Sequence, residues 1–223
     1  HHFGSRIVFD NKGYLYFSIG DRGKRENAQD LTLPNGKIHR IFKDGRIPED
    51  NPFFTSDENF YKTIYAYGNR NPQGLAFNPE TGELWESEHG QKGGDELNII
   101  KSGNNYGWDK ITYGRNYDGT VSTKKVKMPG MEIPILFWRP SIAVCGIDFY
   151  KGDLFPNWKN HLIVGALKFE EVRLLDIEDN RVIHQETIIE KSGRVRDVCS
   201  APDGSIYIVT NQPDKILRLT PQK

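Results

Sequence analysis

The chain has 223 residues with 30 basic and 30 acidic side chains, a formal net charge of zero. That balance offers no electrostatic basis for holding nucleic acid or an anionic membrane surface. No apolar run approaches the roughly 20 residues that cross a bilayer as a helix, and 36% hydrophobic with 12% aromatic residues suffices for a core built in good part from rings.

In chain order, strand signals dominate. Four segments share a pattern of apolar run, turn, apolar run: "RIVFDNKGYLYFSIGDRG", "GLAFNPETGELWESEHG", "GIDFYKGDLFPNWKNHLIVGALK" and "DVCSAPDGSIYIVTNQ". In three of them Asp, Asn or Pro-Glu leads to Gly at the turn, which is hairpin chemistry. Each second strand ends in a polar loop, "GDRG", "EHGQ", "ALKF" and "TNQP". Further runs, "GKIHRIFKDG", "EVRLLDIEDNRVIHQETII" and "KILRLTP", supply additional strands, and "DENFYKTIYAYG" has room for one or two helical turns. Hairpins recurring at long spacing point to an all-β array of four or five blades, a β-propeller, with a β-sandwich as the other all-β solution. No linker divides the chain, so residues 1–223 read as a single domain. Cys145 and Cys199 are far apart and make no metal spacing; they read as free thiols, or as a disulfide in an oxidising compartment.

The motifs of nucleotide, zinc-peptidase and serine-hydrolase chemistry are absent. Four polar clusters remain, each at a strand end. "HHFGSR" offers a histidine that could act as a base or be a surface residue. "YGNRNPQGLAF" sets Arg70 and Asn71 before a strand, where the guanidinium fork suits a carboxylate or oxyanion as well as an exposed turn. "EHGQKGGDE" is glycine-rich enough to bring main-chain carbonyls to a hard cation, or to be a solvated loop. Lys168 in "GALKF" and the Arg194/Arg196 pair in "GRVRDV" complete the set; two-residue spacing points both arginines to one strand face. Together the clusters describe a base, several cations and a hard-metal loop at one mouth of a propeller channel.

"HHFGSRIVFD", "YGNRNPQGLAFNPETGELW", "SEHGQKGGDELNII", "NNYGW", "GALK" and "RVRDV…PDGSIYIVT" resemble, in order and over nearly the whole chain, the soluble PQQ-dependent aldose sugar dehydrogenases of the glucose/sorbosone dehydrogenase family. The resemblance implies a six-bladed β-propeller of which this chain covers roughly the C-terminal four blades, its N-terminal portion missing. It implies His2 as catalytic base and Arg70 as stabiliser of developing negative charge. It places Arg70, Asn71, Lys168, Arg194 and Arg196 on PQQ, and the carbonyls of Gly90 and Gln91 on the PQQ-bound calcium. The family usually has Pro where Gln91 stands. Glu96 and the Tyr106 carbonyl match a second calcium site, Trp138 lies near the substrate pocket, and His89 is a bystander. The implied partners are an aldose and an external electron acceptor, and the implied location is the periplasm or outside the cell. A propeller relative of the Hedgehog-interacting type that lost PQQ and serves as a binding module, and a calcium-dependent propeller lactonase, are the competing readings.

Overall fold

A computed structural model describes residues 1–222. The chain forms four antiparallel sheets and no α-helix among the described residues. The first sheet is ordered β1 (Gly4–Phe9), β2 (Tyr14–Ile19), β3 (Lys37–Phe42), β4 (Ile64–Tyr67). The second runs β5 (Pro72–Phe77), β6 (Leu84–Glu88), β7 (Asp95–Ile100), β8 (Leu136–Trp138). The third contains β9 (Val144–Phe149), β10 (Leu162–Ala166), β11 (Glu171–Glu178) and β12 (Arg181–Ile189), and the fourth β13 (Arg194–Ser200), β14 (Ile206–Asn211) and β15 (Lys215–Leu219). The four repeated segments of the sequence are the first hairpin of each sheet, β1–β2, β5–β6, β9–β10 and β13–β14.

Local chemistry closes these hairpins. The Asp10 carboxylate accepts the N–H groups of Lys12 and Tyr14, both at 2.9 Å, and Asn78 Oδ1 accepts that of Glu80 at 2.9 Å. Asp203 takes the Ser205 N–H at 2.9 Å in the same way. Each is a short side chain that folds the backbone back on itself. The longer β9–β10 connection instead contains a 3-10 turn, Pro156–Trp158. The helical turns expected in "DENFYKTIYAYG" do not form. Asp57 caps the Asn59 N–H, Lys62 Nζ ties down the carbonyls of Phe53, Ser56 and Asp57, and Ile64 and Ala66 alternate into the core as strand β4.

Successive sheets share apolar layers. Tyr16, Ile38, Leu75, Leu84 and Ile100 fill the first interface, and Trp85, Leu97, Phe149, Leu162, Val164 and Leu175 the second. Ile163, Val172, Val195, Val198 and Ile206 fill the third. β10 gives Leu162 and Val164 to one layer and Ile163 to the next, so a sheet covered on both faces reads as an unbroken apolar run, "LIVGA", rather than an alternation. β12, an outer strand, is mostly exposed and correspondingly polar.

The first strands pack in series, β1 on β5, β5 on β9, β9 on β13. Each of these four strands has a register shift near its N-terminal end: between Gly4 and Ile7, Pro72 and Gly74, Val144 and Ile147, and Val195 and Asp197. The residues left over meet. The Arg6 guanidinium donates to the carbonyls of Gln73 and Arg196 and pairs with Asp197 Oδ2 at 2.6 Å, and the Cys145 thiol donates to the Arg196 carbonyl at 3.0 Å. Bulges twist a strand and re-aim its side chains, and here they gather the four inner strand ends into one polar node. Both cysteines are free, Cys145 buried in this node and Cys199 exposed.

Candidate functional site

The loops leaving the bulged end carry the polar clusters. Gly20 follows β2, and a Cβ there would lie 2.1 Å from the His2 carbonyl, so only glycine lets the N-terminal segment lie across it. That placement brings His2 Nδ1 to 2.6 Å from Asp21 Oδ1. Asp21 is fully buried and also accepts the Gly23 N–H at 2.7 Å and the Trp108 indole N–H at 2.8 Å. Burial pushes the Asp21 carboxyl up, but the donors from His2, Gly23 and Trp108 outweigh it and hold the group below its ordinary range. His2 Nδ1 faces an acceptor fixed by two further donors, Gly23 and Trp108.

The segment between β4 and β5 lies beside this pair. Its backbone is threaded through the site: the Asp21 N–H donates to the Arg70 carbonyl at 2.8 Å, and the His89 N–H to the Asn71 carbonyl at 3.1 Å. Arg70 is buried; Nη1 donates to the His89 carbonyl at 2.8 Å, and Nε has no acceptor. Asn71 Oδ1 accepts the Gly4 N–H at 3.1 Å and Gln73 Nε2 at 3.0 Å.

In "EHGQKGGDE", a Cβ on Gly90 would fall 1.5 Å from the Gly94 carbonyl oxygen, which explains the glycine. The Gly90 N–H is held by Asp95 Oδ1 at 3.1 Å, while no hydrogen bond reaches the Gly90 carbonyl. The Gln91 carbonyl already accepts from the Gly94 N–H at 3.0 Å and the Ser141 hydroxyl at 2.9 Å. The Gln91 side-chain Oε1 is buried without a donor. His89 is partly buried beside Arg70, and desolvation, then the Arg70 charge, pushes it down to about 4. It is therefore neutral near pH 7.

A cleft of about 530 Å³ opens along this loop, lined among others by Gly90, Lys92, Arg115, Arg139 and Lys168. No carboxylate pairs with any of these four cations among the described residues. Arg194 and Arg196 flank a break in the ladder. The register shift between Val195 and Asp197 falls on Arg196, which is exposed and donates from Nε to Asn211 Oδ1 at 2.7 Å. Asn211 is also the cross-strand partner of Arg194, so the Arg196 side chain reaches the residue that stands opposite Arg194. Trp138 is also placed differently: its ring is core between the second and third sheets, with Nε1 on Gln185 at 3.3 Å, and its neighbour Arg139 lines the cleft. Tyr106 directs its hydroxyl to the Ile99 carbonyl at 2.6 Å and packs between the first and second sheets. Glu96 lies opposite Glu88 in the β6–β7 register. A larger cavity, about 780 Å³, lies at the opposite, turn end of the sheets. Its one deep cation, Arg40, is consumed by Asn51 and Asp50, both at 2.7 Å.

Beneath Arg70 lies a stack of acids, Glu86, Glu88 and Glu96. Burial, reinforced by mutual repulsion, pushes Glu86 and Glu96 well up; burial pushes Glu88 up to about 7 against the opposing Arg70 N–H at 2.7 Å. A carboxyl whose folded pKa is raised keeps a proton that the unfolded chain releases, so its stabilising effect is present at acid pH and lost as pH rises through the folded value. Glu86→Gln keeps the shape and removes one of the titratable carboxyls. Its melting temperature relative to the unsubstituted protein is expected to improve steadily between about pH 5 and pH 8. Calorimetry with chelator present checks this, and a pH-independent difference would show that the stack does not titrate there.

Asp21, Trp108, Lys92, Arg115 and Arg139 are the site residues that sequence reasoning missed. Asp21 sits in "GDRG", one of the polar strand-end loops, and Trp108 in "NNYGW", both quoted above for other features.

A protein-family model described as Glucose / Sorbosone dehydrogenase matches residues 1–218. The chain is 42% identical to the aldose sugar dehydrogenase YliI of Escherichia coli (strain K12), over 99% of this chain and 60% of that protein. Its fold superposes on the crystal structure of the soluble aldose sugar dehydrogenase of Escherichia coli in the apo form with a TM-score of 0.92 and 40% identity, covering 99% of this chain and 64% of that one. It matches the PQQ-bound form of the Streptomyces coelicolor aldose sugar dehydrogenase with a TM-score of 0.77 and 28% identity, covering 97% of this chain and 61% of that one. The chain thus spans about 60% of the length of the relatives it matches.

Proposed function

The chain belongs to the glucose/sorbosone dehydrogenase family, and from that premise we propose that it forms the larger part of an enzyme that oxidises aldoses at C1 to aldono-lactones, with PQQ and calcium as cofactors and an external electron acceptor. The four sheets, packed first strand to first strand, are read as four blades of one six-bladed propeller domain. The periplasm or the cell exterior is the proposed location, and no helix among the described residues is long and apolar enough to cross a membrane.

The observation that carries this reading is the His2–Asp21 pair beside a buried, half-satisfied Arg70, whose Nη1 holds the carbonyl of the cleft-lining His89. The donor set suits the cofactor. PQQ is a tricarboxylate, and Lys92, Arg115, Arg139 and Lys168 line the cleft without acidic partners. Arg70 Nε, buried and without an acceptor, is a donor in reserve. The Gly90 carbonyl and Gln91 Oε1, both without donors, are hard oxygens suited to calcium. The Gln91 carbonyl would join them only if Ser141 yields its hydrogen bond. When bound, PQQ supplies a two-electron acceptor for the C1 hydride, which calcium makes more electrophilic.

The chain's own groups do the rest. Asp21 holds the His2 imidazole with its proton on Nδ1, leaving Nε2, which makes no hydrogen bond in the structure, to take the proton of the C1 hydroxyl. The imidazolium that results faces a carboxylate kept anionic by its three donors. Loss of that proton and the C1 hydride leaves the lactone carbonyl. Arg70, itself buried and so little screened, would set a fixed positive charge near where negative charge develops. The test is reconstitution: PQQ and calcium are added to the full-length apoprotein with a panel of aldoses, and reduction of an artificial dye is followed. Dye reduction that requires both additions is expected. No reduction with any sugar, together with no PQQ binding, would sink the proposal.

A further inference from the structure

Trp108 is buried, 4% exposed, yet it belongs to none of the three apolar layers that hold Trp85 and Trp138. Its surroundings are polar. The indole N–H donates to Asp21 Oδ2 at 2.8 Å, and Asp21 Oδ1 holds His2 Nδ1 at 2.6 Å. The guanidinium groups of Arg70 and Arg25 each lie over the ring, both 5.5 Å from a ring centroid. Arg25 is itself pinned by Ser122 and Asn116, each at 2.8 Å. The Trp108 main chain is fixed too: its N–H donates to the Gly68 carbonyl at 2.9 Å, two residues before Arg70, and its carbonyl accepts from Gln29 Nε2.

We propose that Trp108 is the positioning residue that locks the His2–Asp21 pair and the Arg70 guanidinium into one unit, its N–H orienting the carboxylate that fixes the imidazole tautomer while its ring carries the cation. A tryptophan is suited to this because it combines a donor-only N–H with the aromatic face that binds guanidinium most strongly. With the indole donor on Oδ2 and the Gly23 N–H on Oδ1, the carboxylate cannot rotate away from His2 without abandoning a buried donor. The same ring limits where the Arg70 guanidinium can lie. Base and cation are thus registered to each other by a side chain that is not among the residues lining the cleft. This inference rests on the oxidative role proposed for His2 and Arg70.

Trp108→Phe keeps a ring beneath the guanidinium groups and deletes the N–H. In the cofactor-free protein, nitrogen-15 NMR of His2 is expected to show one Nδ1–H tautomer, and in the variant a mixture. After reconstitution the variant's kcat is expected to fall about tenfold or more with KM little changed. Trp108→Leu, which also loses the ring, is expected to weaken PQQ binding as well. A Trp108→Phe protein with the unsubstituted tautomer population and rate overturns the proposal and makes Trp108 a packing residue. Should that variant fold poorly, the indole resonance decides: Asp21→Asn is expected to move the Trp108 N–H signal of the cofactor-free protein, and an unmoved signal overturns the proposal. Absence of dye reduction by the unsubstituted, PQQ-supplied protein would count against the dehydrogenase reading alone, because the tautomer measurement needs no cofactor.

Discussion

His2→Ala is expected to lower kcat for aldose oxidation by about 10²–10⁴-fold while leaving PQQ bound. The reason is division of labour. The cleft cations and the Gly90–Gln91 loop, on other elements, are what would hold the cofactor, and none hydrogen-bonds through His2. Removing the imidazole leaves Asp21 with the Gly23 and Trp108 donors, so the carboxylate stays satisfied and the fold is retained. Dye-reduction kinetics with a parallel PQQ titration check both halves. A variant that turns over near the normal rate would remove His2 as the base; one that no longer binds PQQ would make it a cofactor ligand instead.

Asp21→Asn is expected to be nearly as damaging, about 10²–10³-fold in kcat, with some loss of stability. Three donors converge on the two carboxylate oxygens of Asp21, from His2, Gly23 and Trp108. An amide offers one oxygen and one NH2, so at least one buried donor would face another donor. With the NH2 turned to His2, the imidazole is driven to the tautomer that puts the proton on Nε2, where it cannot act as a base; with the oxygen there, the Trp108 N–H faces the NH2 and His2 keeps only a neutral acceptor, which stabilises the imidazolium far less. Rate measurements together with the melting temperature separate the two effects. A variant destabilised but fully active would show that the base needs no orienting carboxylate.

A cation held by EHGQKGGDE, as proposed, would meet a different set of oxygens from the one the resemblance implies. The loop's free oxygens are the Gly90 carbonyl and the Gln91 side chain, whereas the Gln91 carbonyl is occupied by Gly94 and Ser141. That occupation depends on a serine 50 residues away, on the segment leading into β9, and no local pattern could reveal it. Arg196 teaches a related lesson: its partner Asn211, the residue opposite Arg194, lies on another strand and cannot be read from the two-residue spacing.

Secondary structure and its punctuation were legible in the amino-acid order because they depend on neighbours. Asp10, Asn78 and Asp203 close their turns with N–H groups two to four residues on, and the two-sided burial of β10 leaves an apolar run that is visible without coordinates. The same locality places glycines and charges at strand ends, where the site lies. What joins those ends was decided only by the tertiary structure. His2 meets Asp21 across 19 residues, Asp21 meets Trp108 across 87, and the choice between Trp138 in the core and Arg139 on the cleft follows from how β8 pairs with β7. Each of these pairings requires sheets to stack and bulges to shift register first, and that packing is a sum of distant contacts that no single stretch of the chain encodes.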